Sequence, residues 1–168
     1  MTSEWVDVVD TDDRVVRTVS RSEMRRDRLR HRAVFVAVLD GTGRVLVHRR
    51  SESKDVWPGW LDIAVGGVVT SGESYERAAR RELTEEVGVS DVEPIEVDGG
   101  RIQTYDDADV SLVARCYVVT TSGPFAFTDG EVSDAWWVTR DEFEELRRRE
   151  LFLPDSLALL LPLLPPYW

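Results

Sequence analysis

Three glutamates lie close together in a stretch of the sequence that favours an α-helix. Glu82, Glu85 and Glu86 occupy positions i, i+3 and i+4, so a helix places their carboxylates on one face, about one turn apart. Like charges at this spacing repel each other, and a divalent cation removes the repulsion. Mg²⁺ prefers oxygen ligands and commonly bridges carboxylates to the phosphates of a substrate. The alternative is a solvated acidic helix face.

The elements that must position these carboxylates can also be predicted. The pattern indicates one helix over 74–87, in which Ser74 caps the start and Gly88 closes the end in a left-handed conformation. Leu83 and Val87 belong to an adjoining apolar stripe that can pack under a sheet. The acidic face therefore belongs to an amphipathic helix lying on a sheet.

A longer motif surrounds the three glutamates. It reads Gly67, five residues, Glu73, seven residues, Arg81-Glu82-Leu83, one residue, Glu85-Glu86, one residue, Gly88-Val89. This pattern resembles the Nudix box at every fixed position. The resemblance implies a metal-dependent pyrophosphohydrolase acting on a nucleoside diphosphate-type substrate, with Mg²⁺ or Mn²⁺ as cofactor. It also implies an α+β protein, an α/β/α sandwich in which a mixed sheet lies between helices.

The same resemblance suggests roles for individual residues. Glu82, Glu85, Glu86 and the carbonyl of Gly67 are the expected metal ligands. The three glutamates and Arg81 are the expected catalytic residues, with Arg81 orienting a carboxylate through a bidentate pair. The general base stays open among four carboxylates: Glu82, Asp107, Asp109 and Glu131.

Residues before the motif resemble another branch of the fold. His31-Arg32-Ala33, Arg49-Arg50, Lys54 and Trp57-Pro58-Gly59 are similar to the corresponding stretch of type I isopentenyl diphosphate isomerases. On this likeness we expect Arg49, Arg50, Lys54 and Trp57 to bind substrate.

This chain lacks two groups that the isomerase chemistry requires. The resemblance requires a catalytic cysteine where this chain has Gly66 and a metal-binding histidine where it has Val68. The sequence therefore favours a hydrolase subgroup related to these isomerases but lacking their cysteine. An isomerase-like enzyme and a non-catalytic nucleotide-binding module are the alternatives.

Length and composition set outer limits on the protein. A chain of 168 residues suits one Nudix domain, with an N-terminal hairpin and short helix over 1–30 and the core over 31–168. A net charge of −11 argues against binding to a nucleic acid polymer and fits a small-molecule diphosphate substrate. The chain has no apolar run long enough for a membrane span and no signal-peptide core, so a cytoplasmic location is expected.

Three further features are open to more than one interpretation. The basic block between Arg21 and Arg32 is either an exposed helix face or a contact for phosphate or a partner. Cys116, the only cysteine, is expected to be a small core residue. The apolar segment Leu157–Trp168 either caps the chain's own core or forms a homodimer contact.

Overall fold

The protein is built from ten strands and four α-helices in the computed structural model, which describes residues 4–168. The strands are β1 (Trp5–Val9), β2 (Val15–Ser20), β3 (His31–Leu39), β4 (Arg44–Arg50), β5 (Leu61–Asp62), β6 (Val65–Val68), β7 (Ile95–Glu96), β8 (Gln103–Asp106), β9 (Ser111–Thr120) and β10 (Val132–Thr139). The helices are α1 (Arg21–Arg26), α2 (Tyr75–Val87), α3 (Arg140–Arg147) and α4 (Pro154–Leu159).

The central strand is β3, which is buried on both of its faces. Its side chains alternate between two cores, as the two-residue period of a strand requires. Phe35 and Leu39 point into one core, and Val34, Val36 and Val38 point into the other. A continuous apolar run is the expected pattern for such a doubly covered strand.

The sheet is mixed, because β3 has neighbours of both directions. It pairs in parallel with β9 from His31 opposite Leu112 to Leu39 opposite Thr120. It pairs antiparallel with β6, where Val34 lies opposite Gly67. The N-terminal hairpin of β1 and β2 joins the same sheet through β1, and β10 pairs with β4 at the other side.

Helices cover both faces of this sheet. Helix α2 packs Ala79, Leu83 and Val87 against the core that contains Val36. On the opposite face, Phe143 of α3 and Leu159 of α4 pack against the core that contains Phe35. The structure therefore confirms the mixed sheet between helices.

The sequence predicts one strand over Leu61–Val65 and a short helix that is capped by Ser20 and ends near Arg30, and the structure differs from both predictions. The segment Leu61–Val65 is two short strands rather than one, because the Ala64 N–H donates to Asp62 Oδ1 at 2.9 Å and turns the chain. Helix α1 ends at Arg26, because Arg28 adopts a positive φ of 49°. Helix α1 therefore has only six residues.

The apolar C-terminal segment packs on the chain's own core. Leu160 and Leu164 are fully buried, and the ring of Trp168 lies 5.1 Å from that of Phe143 in an edge-to-face contact. A homodimer stays a prediction. No helix within residues 4–168 combines the length and the apolar character that crossing a membrane requires.

Candidate functional site

Helix α2 has the ends that the sequence predicts. The Ser74 side chain accepts from the Arg77 N–H, and Gly88 closes the helix with a φ of 71°. A side chain on Gly88 would also collide with Ala126, because an added Cβ would lie 2.9 Å from the Ala126 Cβ. Both caps fix the start and the end of the helix, and hence which residues share its acidic face.

Arg81 holds the acidic face together. Its Nε and Nη2 donate to the two carboxylate oxygens of Glu73, each at 3.0 Å, so the bidentate pair is made with Glu73. Its Nη1 donates to Glu82 at 2.6 Å and to Glu85 at 3.2 Å. Glu73 also accepts from the backbone and hydroxyl of Thr70. Arg81 therefore ties the loop before α2 to two of the three glutamates.

Two of the glutamates are buried against the glycines of β6. Glu86 is 3% exposed and accepts from the Gly66 N–H at 3.3 Å. A Cβ on Gly67 would lie 2.5 Å from Glu82 Oε1, so a side chain at this position would displace that carboxylate. Burial raises the pKa of Glu82, and burial together with the charge of Glu82 raises the pKa of Glu86 well above its ordinary value.

An additional ion pair faces this carboxylate pair. Lys54 Nζ donates to Glu131 Oε2, and both charges influence the ionisation of Glu86. Burial favours a higher pKa for Glu131, but the hydrogen bond from Lys54 and its charge lower that pKa. Glu131, which comes from the loop before β10, therefore lies in the same cluster as Glu86.

A cavity of about 410 Å³ opens beside this cluster and is lined by Gly66, Gly67, Lys54 and Glu131. Arg50 and Trp57 also line it, so three of the four residues expected to bind substrate face the cavity. Arg49 does not. Its Nη1 donates to the Gly59 carbonyl at 3.0 Å, and its Nη2 lies 3.6 Å from Glu150. Neighbouring residues of a strand point to opposite faces, so only Arg50 of this pair reaches the cavity.

The structure separates the four candidates for the general base. Glu82 and Glu131 lie beside Glu86. Asp107 instead accepts the N–H groups of Asp109 and Val110 within its own loop. Asp109 accepts from Trp57 Nε1 at 3.2 Å. Asp107 and Asp109 are therefore placed away from the glutamates, near the Trp57 side of the cavity.

The groups relevant to isomerase chemistry are also accounted for. His31 is buried, and its Nδ1 donates to the Leu29 carbonyl at 2.9 Å. Burial lowers the pKa of His31 to about 4, so it is neutral at pH 7. Burial raises the pKa of the Cys116 thiol to about 12, and the thiol does not line the cavity. A Cβ on Gly66 would lie 1.9 Å from the Val34 carbonyl oxygen, so a cysteine does not fit there.

Several charged residues that line the cavity were not predicted as site residues, and four of them are Asp62, Asp155, Arg21 and Arg25. Asp62 and Asp155 are 5% and 6% exposed, and burial raises their pKa values to about 6 and about 7. Arg21 and Arg25 reach the cavity from α1. Asp62 did carry a signal, because it is an acidic residue inside the apolar run Leu61–Val65.

The donor set suits a hard divalent cation, because it consists of carboxylates and a backbone carbonyl. Among the described residues, no Arg or Lys forms a salt bridge with the buried carboxylate of Glu86. Within residues 4–168, however, no three acidic, imidazole or thiol groups are gathered as a metal cluster. Arg81 holds Glu82 and Glu85, so loading with a cation requires these side chains to rearrange. The metal ligands stay a prediction.

Comparison with known proteins agrees with this geometry. A family model described as the NUDIX domain matches residues 29–159. A Nudix hydrolase of Salmonella typhi, YfcD, is 41% identical over 158 residues, which cover 94% of this chain and 83% of that protein. A Nudix hydrolase of Yersinia pestis is 43% identical over 158 residues, with 94% and 84% covered.

Solved structures show the same fold. The crystal structure of DR0079 from Deinococcus radiodurans matches with a TM-score of 0.79 and 27% identity, covering 95% of this chain and 99% of that one. The NUDIX domain of Shewanella oneidensis NrtR, solved in complex with ADP ribose, matches with a TM-score of 0.63 and 18% identity, covering 85% and 96%. At that identity the second likeness concerns the fold alone. Together with the family match and the two relatives, the intact motif on α2 shows that this chain belongs to the Nudix family and is a hydrolase of pyrophosphate bonds.

Proposed function

We propose that the protein is a metal-dependent pyrophosphohydrolase that cleaves the diphosphate of a nucleoside diphosphate-type substrate with water. The observation that carries this proposal is the burial of Glu82 and Glu86 against Gly66 and Gly67, beside a cavity whose lining includes Arg50 and Lys54. Mg²⁺ or Mn²⁺ is the proposed cofactor, with the Gly67 carbonyl, Glu82, Glu85 and Glu86 as ligands.

The cation, when bound, supplies charge neutralisation at the phosphoryl oxygens and lowers the pKa of water. The chain's own residues do the rest. Lys54 and Arg50 face the cavity and can attract the negative charge of a phosphorylated substrate. Arg81 holds Glu82 and Glu85 before a cation binds, and its bidentate pair with Glu73 anchors it beside them. Glu82 or Glu131 accepts the proton of the attacking water, because both lie in the cluster around Glu86.

The substrate class rests on the shape and chemistry of the cavity. Its walls combine the ring of Trp57 and apolar residues such as Phe35 and Leu112 with the cations. A flat apolar wall beside cations suits a base or ring linked to a diphosphate. The ADP ribose in the Shewanella oneidensis NrtR complex is a compound of this class and a reasonable first test. A cytoplasmic location is part of the same proposal.

The test is hydrolysis by the full chain of a panel of nucleoside diphosphates, sugar nucleotides and ADP ribose. We expect turnover with Mg²⁺ or Mn²⁺, none after chelation with EDTA, and incorporation of ¹⁸O from labelled water into a phosphate-containing product. Glu76→Gln is the matched control, because Glu76 lies on α2 but is exposed and pairs with Arg80. Undiminished turnover after rigorous removal of metal would contradict the proposal.

A further inference from the structure

The guanidinium of Arg25 is a cation without a partner in the cavity. Its Nε is buried and has no hydrogen-bond acceptor. No carboxylate of residues 4–168 lies within ion-pair distance of this guanidinium, since it takes part in none of the salt bridges found there. Burial, followed by the positive charge of Arg21, lowers its pKa to about 10. A charged group held in this way is costly unless a counter-charge joins it.

The neighbouring cations differ from Arg25 in their partners. Arg21 forms two hydrogen bonds with Glu4, at 2.9 and 3.1 Å, and Lys54 pairs with Glu131. Arg50 donates to the Val56 carbonyl at 3.0 Å, but its Nε is also buried without an acceptor. Arg25 and Arg50 therefore both line the cavity, and neither guanidinium has a salt bridge to a carboxylate of residues 4–168.

The nearby carboxyls do not neutralise these two arginines. Asp62 and Asp155 line the same cavity, and the charge of Arg50 favours a lower pKa for each of them. Neither carboxyl forms an ion pair with Arg25 or Arg50. Burial raises the pKa of both, and Asp155, with a pKa of about 7, is only partly ionised near neutral pH. Asp55, a third nearby carboxylate, is exposed to solvent.

Arg25 also lies at some distance from the glutamates. It is close enough to His31 to influence its ionisation, whereas Glu82 and Glu86 lie against Gly66 and Gly67. Gly67 pairs with Val34, which is three residues along β3 from His31, and three residues of strand span about 10 Å. An anion at Arg25 is therefore separate from the diphosphate at the glutamates.

We propose that Arg25 and Arg50 form an anion-binding subsite that takes a phosphoryl group carried by the substrate outside the scissile diphosphate. That the phosphoryl group belongs to a substrate rests on the proposed function, whereas the binding of an anion at these arginines does not. The planar guanidinium suits bidentate binding of phosphate. Arg25 belongs to α1, which precedes the matched family region of 29–159, so the N-terminal segment supplies part of the specificity.

The first experiment measures binding of inorganic phosphate to the full chain in EDTA by calorimetry, with acetate at equal ionic strength as the anion control. We expect saturable binding of phosphate but not of acetate, and a loss of about tenfold or more in Arg25→Gln. Arg26→Gln is the matched control, because Arg26 is exposed on the same helix and pairs with Asp27. It should bind phosphate like the wild type.

Thermal unfolding distinguishes a binding role from a structural one. Without ligand, Arg25→Gln should unfold at or above the wild-type temperature, because an unpaired buried charge has been removed. Phosphate should raise the melting temperature of the wild type and of Arg26→Gln, but not that of Arg25→Gln. Equal phosphate binding by wild type and Arg25→Gln, or no saturable binding by wild type, would overturn the proposal.

The second experiment compares two nucleoside diphosphate compounds that differ only by one additional phosphomonoester. Wild type should prefer the phosphorylated compound in kcat/KM, and Arg25→Gln should lose that preference while Arg26→Gln keeps it. A preference of the same size in Arg25→Gln would contradict the subsite. If neither compound is hydrolysed, the proposed function fails on this class of compound, but phosphate binding in EDTA still decides whether the anion site exists.

Discussion

The substitution Glu86→Gln tests the metal site through two effects of opposite sign. The side chain keeps its shape and can still accept from the Gly66 N–H, but it loses a buried charge that lies beside Glu82. In EDTA the variant should therefore be at least as stable as the wild type, because repulsion between the two carboxylates is gone. With Mg²⁺ it should be the less stable of the two proteins.

The size of the second effect follows from linkage. Mg²⁺ at a hundred times its dissociation constant stabilises a one-site protein by about 2.7 kcal/mol. In a chain of this length about 1 kcal/mol corresponds to roughly 2–4 °C in Tm, so Mg²⁺ should raise the wild-type Tm by roughly 5–11 °C. Glu86→Gln should lose most of this shift, and its kcat should fall by about two to three orders of magnitude.

Thermal unfolding and turnover are measured with and without Mg²⁺ on the wild type, Glu86→Gln and the control Glu76→Gln. Glu76 lies on the same helix, but its side chain is exposed and pairs with Arg80, so its variant should keep both the Mg²⁺ shift and the turnover. The reasoning is refuted if Glu86→Gln keeps the full Mg²⁺ shift and near wild-type kcat. It is also refuted if the wild type shows no shift at any Mg²⁺ concentration.

Three further predictions follow from the cavity. Burial and the charge of Asp62 raise the pKa of Asp155 from 3.8 to about 7. Asp155 therefore loses its proton at a higher pH in the folded chain than in the unfolded chain, and its contribution to stability falls between about pH 4 and pH 7. In urea unfolding, the free energy of unfolding of Asp155→Asn should exceed that of the wild type by an amount that grows across this window by up to about 4 kcal/mol. A constant difference between the two proteins would contradict the raised pKa of Asp155. Arg50→Ala should raise KM by about tenfold or more, whereas Arg49→Ala should leave KM nearly unchanged. Equal effects of the two substitutions on KM in steady-state kinetics would show that this cavity is not the substrate-binding site. The chain should not interconvert isopentenyl and dimethylallyl diphosphates, because Gly66 has no acid or base and Cys116 lies outside the cavity; conversion detected by NMR would restore the isomerase alternative.

Helix α2 could be predicted closely because its signals are local. Ser74, the apolar stripe and Gly88 are all within one stretch of chain, and each acts on its own neighbours. The three carboxylates share a face for the same reason. The fold class followed from the motif through family resemblance rather than from the period of the strands, and the short strands β7 and β8 were not predicted.

The residues that line the cavity could not be predicted, because the sequence pattern does not say which side chains face it. The adjacent pair Arg49-Arg50 has to point to opposite faces, but the sequence does not say which member faces the substrate. That choice depends on how β4 pairs with its neighbours, where Arg49 lies opposite Leu61. Asp62 and Asp155 are far apart in the sequence but come together because the Leu153 N–H, just before α4, donates to the Leu61 carbonyl of β5.

The basic block shows how tertiary packing changes the meaning of a sequence feature. As a run of arginines it was interpreted either as an exposed helix face or as a contact for phosphate or a partner, and the structure gives neighbouring members of the run different surroundings. Arg26 is exposed and pairs with Asp27, whereas Arg25, its neighbour, faces the cavity. The net charge of −11 does not prevent such a site from attracting an anion, because exposed charges are screened beyond about 8 Å at physiological ionic strength. Close to the cavity, the guanidinium groups of Arg25 and Arg50 contribute positive charge that no salt bridge within residues 4–168 neutralises.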